Sequence, residues 1–223
     1  GQDHIPRFEA LTAALQSFAP HMKEGVLVII ESTISPGTTE RIVIPTLEKA
    51  SGKKAGGAFR VGHCPERVMP GKLLANIATM SRVCGASTPE AAEEMRALYR
   101  TIVTSGDLDA ADCVTAELVK TGENSFRDVV IAFANELAKI CEKNGGDLLR
   151  VRQLVNKSPG RVVPFAGAGV GGHCIPKDPW LLAAGARGAE TPVLSAARSV
   201  NESMPLHVAD LLEDALKAKG KEL

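Results

Sequence analysis

Aromatic residues are scarce in this chain of 223: one Trp, one Tyr and six Phe. That poverty argues against stacking on nucleobases, which needs aromatic platforms. Net charge is missing too. The 26 Lys and Arg balance the 26 Asp and Glu, so no long-range field points to nucleic acid or an anionic membrane surface. No apolar run approaches the ~20 residues of a membrane span, and no signal-peptide pattern stands at the start. The five cysteines (64, 84, 113, 141 and 174) are odd in number and widely spaced, which is no disulfide framework. A reducing, cytoplasmic setting is expected. Two His-Cys pairs, His63-Cys64 and His173-Cys174, raise the question of zinc. Adjacent residues rarely both ligate, and C-x-x-C or H-x-x-x-H spacing is absent, so no metal is expected. What remains is an ordinary globular composition, 44% hydrophobic and 23% charged, long enough for one domain or two.

What is present in excess is glycine, in one place. Gly167, Gly169, Gly171 and Gly172 lead into His173, Cys174, Pro176, Lys177, Asp178 and Pro179. Glycines serve where the backbone needs positive φ or where something approaches it closely. Asp178-Pro179 reads as a helix start, with aspartate at the N-cap and proline at the first helical position. Cys174 then stands just ahead of a helix N-terminus with Lys177 three residues on, and both features favour the nucleophilic thiolate. Two plainer readings stand beside this one. Gly167, Gly169 and Gly172 satisfy G-x-G-x-x-G, but a dinucleotide fingerprint needs a helix opening at the glycines, which Pro176 and Pro179 oppose. Cys174 can also be a small buried hydrophobe.

Along the chain, residues 7–19 have helical spacing. Val26–Ile30 is a β-branched run typical of a buried strand, and a polar loop with Thr33 leads from it into a helix ending near Ala50. Phe59–His63 and Arg82–Gly85 are further short strands. A helix from Pro89 to about Ile102, capped by Ser87 or Thr88, follows the latter. Strand alternating with helix predicts a parallel α/β sheet. Ligands bind beyond the carboxyl ends of such strands, so the loops carrying Thr33 and Glu66 are expected to share a rim.

From about Asp109 the pattern becomes helical. Residues 110–144 read as one long helix with an apolar face of Val119, Phe126, Val130, Phe133, Leu137 and Ile140. Glu117, Lys120, Asn124 and Asp128 repeat at three and four residues and form a polar stripe, which in isolation reads either as a site or as a solvated face. A short helix near Asp147–Val155, the glycine loop and a last helix from Pro192 to about Lys219, kinked at Pro205, complete the chain.

The succession of Glu31–Thr39, Cys64-Pro-Glu66, Ala116–Asn124, Gly171–Asp178 and Asn201–Pro205 resembles the UDP-glucose/GDP-mannose dehydrogenase family. The Gly-Val-Gly-Gly-His-Cys-Ile form and Asn124–Asp128 resemble its UDP-N-acetylhexosamine branch. The resemblance implies oxidation of a sugar C6 alcohol to a carboxylate with two NAD, through a Cys174 thiohemiacetal and thioester. It further implies that Lys120 and Asn124 stabilise the oxyanion, that Glu66 helps activate water, and that Thr33 touches water or nicotinamide. Asp178 matches a catalytic aspartate and Lys177 its cofactor-side neighbour. The expected substrate-binding residues are Glu66, Arg67, Lys120, Asn124, Arg161 and Gly171, with Arg161 reaching into a partner subunit. A homodimer through the long helices is implied.

The chain departs from the family pattern at Pro70, where UDP-glucose enzymes carry a second glutamate, which weakens glucose as the sugar. The resemblance also implies a glycine-rich NAD loop and a second α/β domain, neither of which lies within Gly1–Leu223, so the sequence reads as the middle part of such an enzyme. The expected architecture is therefore α/β, with residues 1–108 as the second half of a Rossmann-like parallel sheet domain and residues 109–223 as an all-α central, dimerising domain. Two functions remain open from sequence: a nucleotide-sugar 6-dehydrogenase seen in part, and a non-catalytic dimerisation core with inherited site residues.

Overall fold

The computed structural model describes residues 4–68 and 71–221; Pro70 lies outside them. The chain divides into two compact units, Gly1–Gly122 with Ala184–Arg187, and Glu123–Ala183 with Gly188–Leu223. The first is built on four strands in the order β1 (Val26–Ile30), β2 (Phe59–His63), β3 (Arg82–Ala86) and β4 (Leu108–Asp112). Its helices are α1 (Glu9–Phe18), α2 (Ile44–Ser51), α3 (Leu73–Thr79) and α4 (Pro89–Arg100). Side chains alternate across a strand, and β1 is apolar on both faces. Val28 and Ile30 join Leu47, Phe59 and Val61 in one core cluster, while Leu27 and Ile29 pack on a second, around Cys84, Met95, Tyr99 and Leu108. Helix α4 starts where its sequence says, since Thr88 Oγ1 accepts from Ala91 N at 3.2 Å ahead of Pro89.

The sheet is not fully parallel. β1 with β2 and β3 with β4 are parallel, but β3 runs antiparallel to β2, pairing Gly62 with Ala86 and His63 with Gly85. The reason lies in the connection. A parallel return needs a helix that carries the chain back along the sheet, and α3, about 10 Å long at seven residues, does not do so. The chain re-enters at the end where it left, so the first residue of β3, Arg82, is delivered beside the loop that follows β2.

Residues 108–112 are also strand, not the head of the long helix. Pairing of Leu108 with Arg82 through Asp112 with Ala86 recruits a segment whose own sequence is neutral. Helix α5 (Cys113–Asn144) follows, with Asp112 Oδ1 accepting from Thr115 N at 2.7 Å.

Helix α5 begins in the first unit and continues unbroken into the second, which also holds α6 (Leu148–Val155), α7 (Asp178–Ala184) and α8 (Pro192–Lys217). Asp147 caps α6 through Leu149 N and Arg150 N. The faces of α5 are inverted relative to a simple surface helix. Glu117 and Asp128 of the polar stripe are fully buried, which removes the solvated-face reading for them, whereas Phe126 is 69% and Phe133 55% exposed. Among the described residues no helix is long and apolar enough to cross a membrane.

Candidate active site

The loops leaving β1 and β2 run side by side. Cys64 N donates to Ile30 O at 3.0 Å and Glu66 N to Glu31 O at 3.3 Å. Thr33 is half-buried on this rim. Arg82 is the rim's central cation, 91% shielded, with its guanidinium 3.7 Å from Glu66 Oε1, 3.9 Å from Glu31 Oε1 and 5.0 Å from the Tyr99 ring centroid. Tyr99 donates its hydroxyl to Glu31 at 2.5 Å. Glu66 also accepts from Val68 N, so its carboxylate is fixed from two sides. Arg67 donates to Ser81 O at 3.0 Å.

Behind the Thr33 loop stands Glu117. It accepts from Thr39 N at 2.8 Å, Thr39 Oγ1 at 2.7 Å and Gly37 N at 2.5 Å. Burial pushes its carboxyl above the usual range, and these donors pull it part of the way back. One turn further along α5, Lys120 is half-buried and its side chain has no ion pair or hydrogen bond with another described residue.

In the second unit Asn124 Nδ2 donates to Asp178 Oδ2 at 2.5 Å. Lys177 Nζ lies 3.7 Å from the other carboxylate oxygen. Asp178 is thus the first residue of α7 with its side chain turned to α5, and the N-cap expected from sequence is replaced by a tertiary contact. The lysine ammonium is likewise turned to Asp178. Cys174 is tied by its backbone, its carbonyl accepting from Lys177 N at 3.1 Å and Asp178 N at 2.9 Å. Of the five cysteines, all free, it alone is exposed, so the buried-hydrophobe reading fails for it. Gly171 is exposed with nothing within 4 Å of a Cβ placed on it. Arg161 is exposed and folds back to Pro159 O at 2.7 Å.

The glycine loop rests on buried polar groups of α5 and α8. Gly167 N donates to Asn135 Oδ1 at 2.9 Å, and Asn135 Nδ2 to Asn201 Oδ1 at 2.9 Å. Asn201 Nδ2 donates to Asp128 Oδ1 at 2.8 Å, which Arg198 also reaches at 2.8 Å. Sequence reasoning placed Asn201 in a motif and Asp128 in a stripe, but missed Arg82, Asn135 and Arg198. Their only sequence signal is a polar residue inside an apolar period. Among the described residues no group of three or more His, Cys, Asp or Glu is placed to hold a metal.

Comparison with known proteins shows the family of the chain. The NAD binding domain of the UDP-glucose/GDP-mannose dehydrogenase family matches residues 2–103, and the central domain of the same family matches residues 114–203. The chain is 42% identical over 212 residues to a UDP-N-acetyl-D-mannosamine dehydrogenase of Pyrococcus horikoshii, covering 95% of this chain and 50% of that protein. A solved structure of the Pyrococcus horikoshii dehydrogenase matches with a TM-score of 0.92 at 41% identity, over 98% of this chain and 52% of that one. An NDP-N-acetyl-D-galactosaminuronic acid dehydrogenase from Methanosarcina mazei matches with a TM-score of 0.88 at 39% identity, over 97% and 48%. The chain spans about half the length of these relatives. With two successive domains of one family matched in order, the chain belongs to the UDP-glucose/GDP-mannose dehydrogenase family.

Proposed function

We propose that this chain carries the catalytic cysteine of an NAD-dependent UDP-N-acetylhexosamine 6-dehydrogenase. The observation that carries the reading is Cys174: it is the one exposed thiol of five, in a turn tied to the Asn124–Asp178 contact. The relatives named for UDP-N-acetyl-D-mannosamine support the choice of sugar. On this reading residues 1–108 work as part of the NAD-binding domain and residues 109–223 as the central domain.

NAD, when bound, supplies the hydride acceptor. The residues fit it on the nicotinamide side, where half-buried Thr33 precedes a segment, Ser35–Thr39, that Glu117 holds rigid. The glycine-rich strand-to-helix turn that cradles a pyrophosphate is not among the described residues. Gly167, Gly169 and Gly172 lie in an irregular loop, so the dinucleotide reading of those glycines is not adopted.

In the proposed reaction the C6 alcohol loses a hydride and a proton to become an aldehyde. The Cys174 thiolate adds to that carbon, forming a C–S bond and an alkoxide. Lys120 and Asn124, one turn apart on α5, supply donors to this oxygen. Loss of a second hydride leaves a thioester, which keeps the reactive carbon tethered between the oxidations. Water, activated by Glu66, then attacks, the C–S bond breaks, and the products are a carboxylate and free Cys174. Asp178 holds Asn124 in place and pairs with Lys177 on the cofactor side. Arg67 and Gly171 contribute to the substrate surface.

Two copies associate through the exposed Phe126, Phe133 and Ile140 face of α5, and Arg161 serves the neighbouring site. Free cysteines suit a reducing compartment, so a cytoplasmic enzyme is proposed. The test is NADH formation by the purified protein from UDP-N-acetylmannosamine. Cys174→Ser abolishes it while calorimetric substrate binding persists; turnover close to parental in that variant removes the thioester route, and with it this reading.

A further inference from the structure

Pro205 lies in the interior of α8. A proline there removes one helical hydrogen bond, and its ring presses on the carbonyl four residues back. That carbonyl belongs to Asn201, which thereby loses its helical donor. Gly169 of the glycine loop packs on the spot. A Cβ on Gly169 would stand 2.3 Å from Asn201 O and 3.5 Å from Pro205 Cδ, and its φ is +88. Only glycine fits, on both counts. Two residues earlier, Gly167 N reaches Asn135, whose amide in turn donates to the Asn201 side chain. Asn201 therefore receives the loop twice, by its backbone oxygen at Gly169 and, through Asn135, by its side chain at Gly167.

The receiver is itself immobilised. Asn201 Nδ2 donates to Asp128 Oδ1 at 2.8 Å and to Asp128 O at 3.0 Å, and Arg198 holds the same carboxylate at 2.8 Å. Asp128, Asn135, Arg198 and Asn201 are all 3% exposed or less. The bonds converge on Asp128 Oδ1 and on the two asparagine amides, which fixes the Asn201 side chain from both ends, while Asp128 Oδ2 and Arg198 Nε are buried without a hydrogen-bond partner among the described residues.

We propose that Asn201, Asn135 and Pro205 are positioning residues for Cys174. They fix the leading end of the loop, the Asp178 contact with Asn124 fixes its trailing end, and the thiol stands between the two. The proposal rests on the reading of Cys174 as nucleophile. A displacement of about 1 Å at a reacting group can cost about 100-fold in rate, so a seat for the loop is a seat for the reaction.

The test uses Gly169→Ala and Pro205→Ala in the full protein. Gly169→Ala forces the loop off Asn201. Amide exchange across residues 167–173 is expected to rise at least about tenfold, and kcat to fall by about 10- to 100-fold, with KM for NAD unchanged. Pro205→Ala gives Asn201 O back its helical donor, so the melting temperature holds or rises while kcat falls. A proline with a merely structural role cannot give that pair of signs. Because this variant adds a helical bond, it keeps the test open if Gly169→Ala does not fold. Gly167→Ala, which keeps the N–H and meets nothing within 4 Å, is the exchange control. Parental exchange in Gly169→Ala, or faster exchange with parental kcat in both variants, overturns the proposal. Parental turnover by Cys174→Ser would remove the nucleophile reading and any catalytic purpose for the seat, a result the exchange data cannot mimic.

Discussion

Asn124 and Asp178 share a hydrogen bond of 2.5 Å, by which the long helix α5 fixes the residue that opens α7. The second oxygen of Asp178 is buried without a hydrogen bond, with Lys177 Nζ 3.7 Å away. A buried carboxylate held this tightly is costly unless its neighbours need it. Asp178→Ala is expected to strand the Asn124 amide, lower stability by about 1–3 kcal/mol and reduce kcat by about 100-fold. Urea denaturation and steady-state NADH formation measure the two effects separately.

Lys120 gives the opposite combination. Its side chain has no partner among the described residues, so Lys120→Ala should leave the melting temperature almost unchanged. Loss of one stabiliser of a developing oxyanion costs about 10²–10³ in kcat. A kcat close to parental would return Lys120 to the surface charges.

Glu117 is a structural counterpart one turn away. Replacing it with Ala leaves Gly37 N, Thr39 N and Thr39 Oγ1 without their acceptor. At about 1–3 kcal/mol per stranded buried group, the expected loss is at least about 3 kcal/mol. Glu117→Gln, which keeps one acceptor oxygen, should lose less. Equal stability of Glu117→Ala and parent by urea titration would show that the clamp contributes nothing.

His63 sets an acid limit. It is fully buried and neither ring nitrogen has a hydrogen-bond partner. Burial lowers its pKa from 6.5 to about 4, offset in small part by the Ile30 carbonyl. Between those values the unfolded chain binds a proton that the folded chain refuses, so stability is lost as pH falls from 6.5 and the loss levels off near 4. The difference is worth about 3 kcal/mol. His63→Leu should flatten the stability profile across that window; an unchanged slope would assign it to other groups.

Association is tested on the exposed face of α5. Phe126→Glu with Phe133→Glu should convert a dimer into a monomer in analytical ultracentrifugation. A parental chain that sediments as a single 23.5 kDa species refutes the dimer.

Much of this was legible in the residues themselves. Val26–Ile30 announces a strand by its β-branched apolar run, and Thr88-Pro89 and Asp147 announce helix starts by local chemistry. The glycine loop and Cys174 stood out for the same reason: their peculiarity is local. The direction of β3 did not, because it depends on how far α3 carries the chain, not on Arg82–Ala86. Nor did β4, whose strand character comes from pairing with β3. The polar stripe of α5 reads the same whether it meets water or protein, and only the partners of Glu117 and Asp128 show which. Arg82 escaped notice because its place on the rim follows from the reversal of β3.

The uneven burial of the five thiols makes this chain its own folding gauge. A maleimide in excess should find one group in the native state, Cys174, and five in strong urea. Intermediate counts are informative, because Cys64, Cys84 and Cys113 belong to the first compact unit and Cys141 to the second. Peptide mapping of the labelled sites would therefore tell which unit opens first, and whether the two open together.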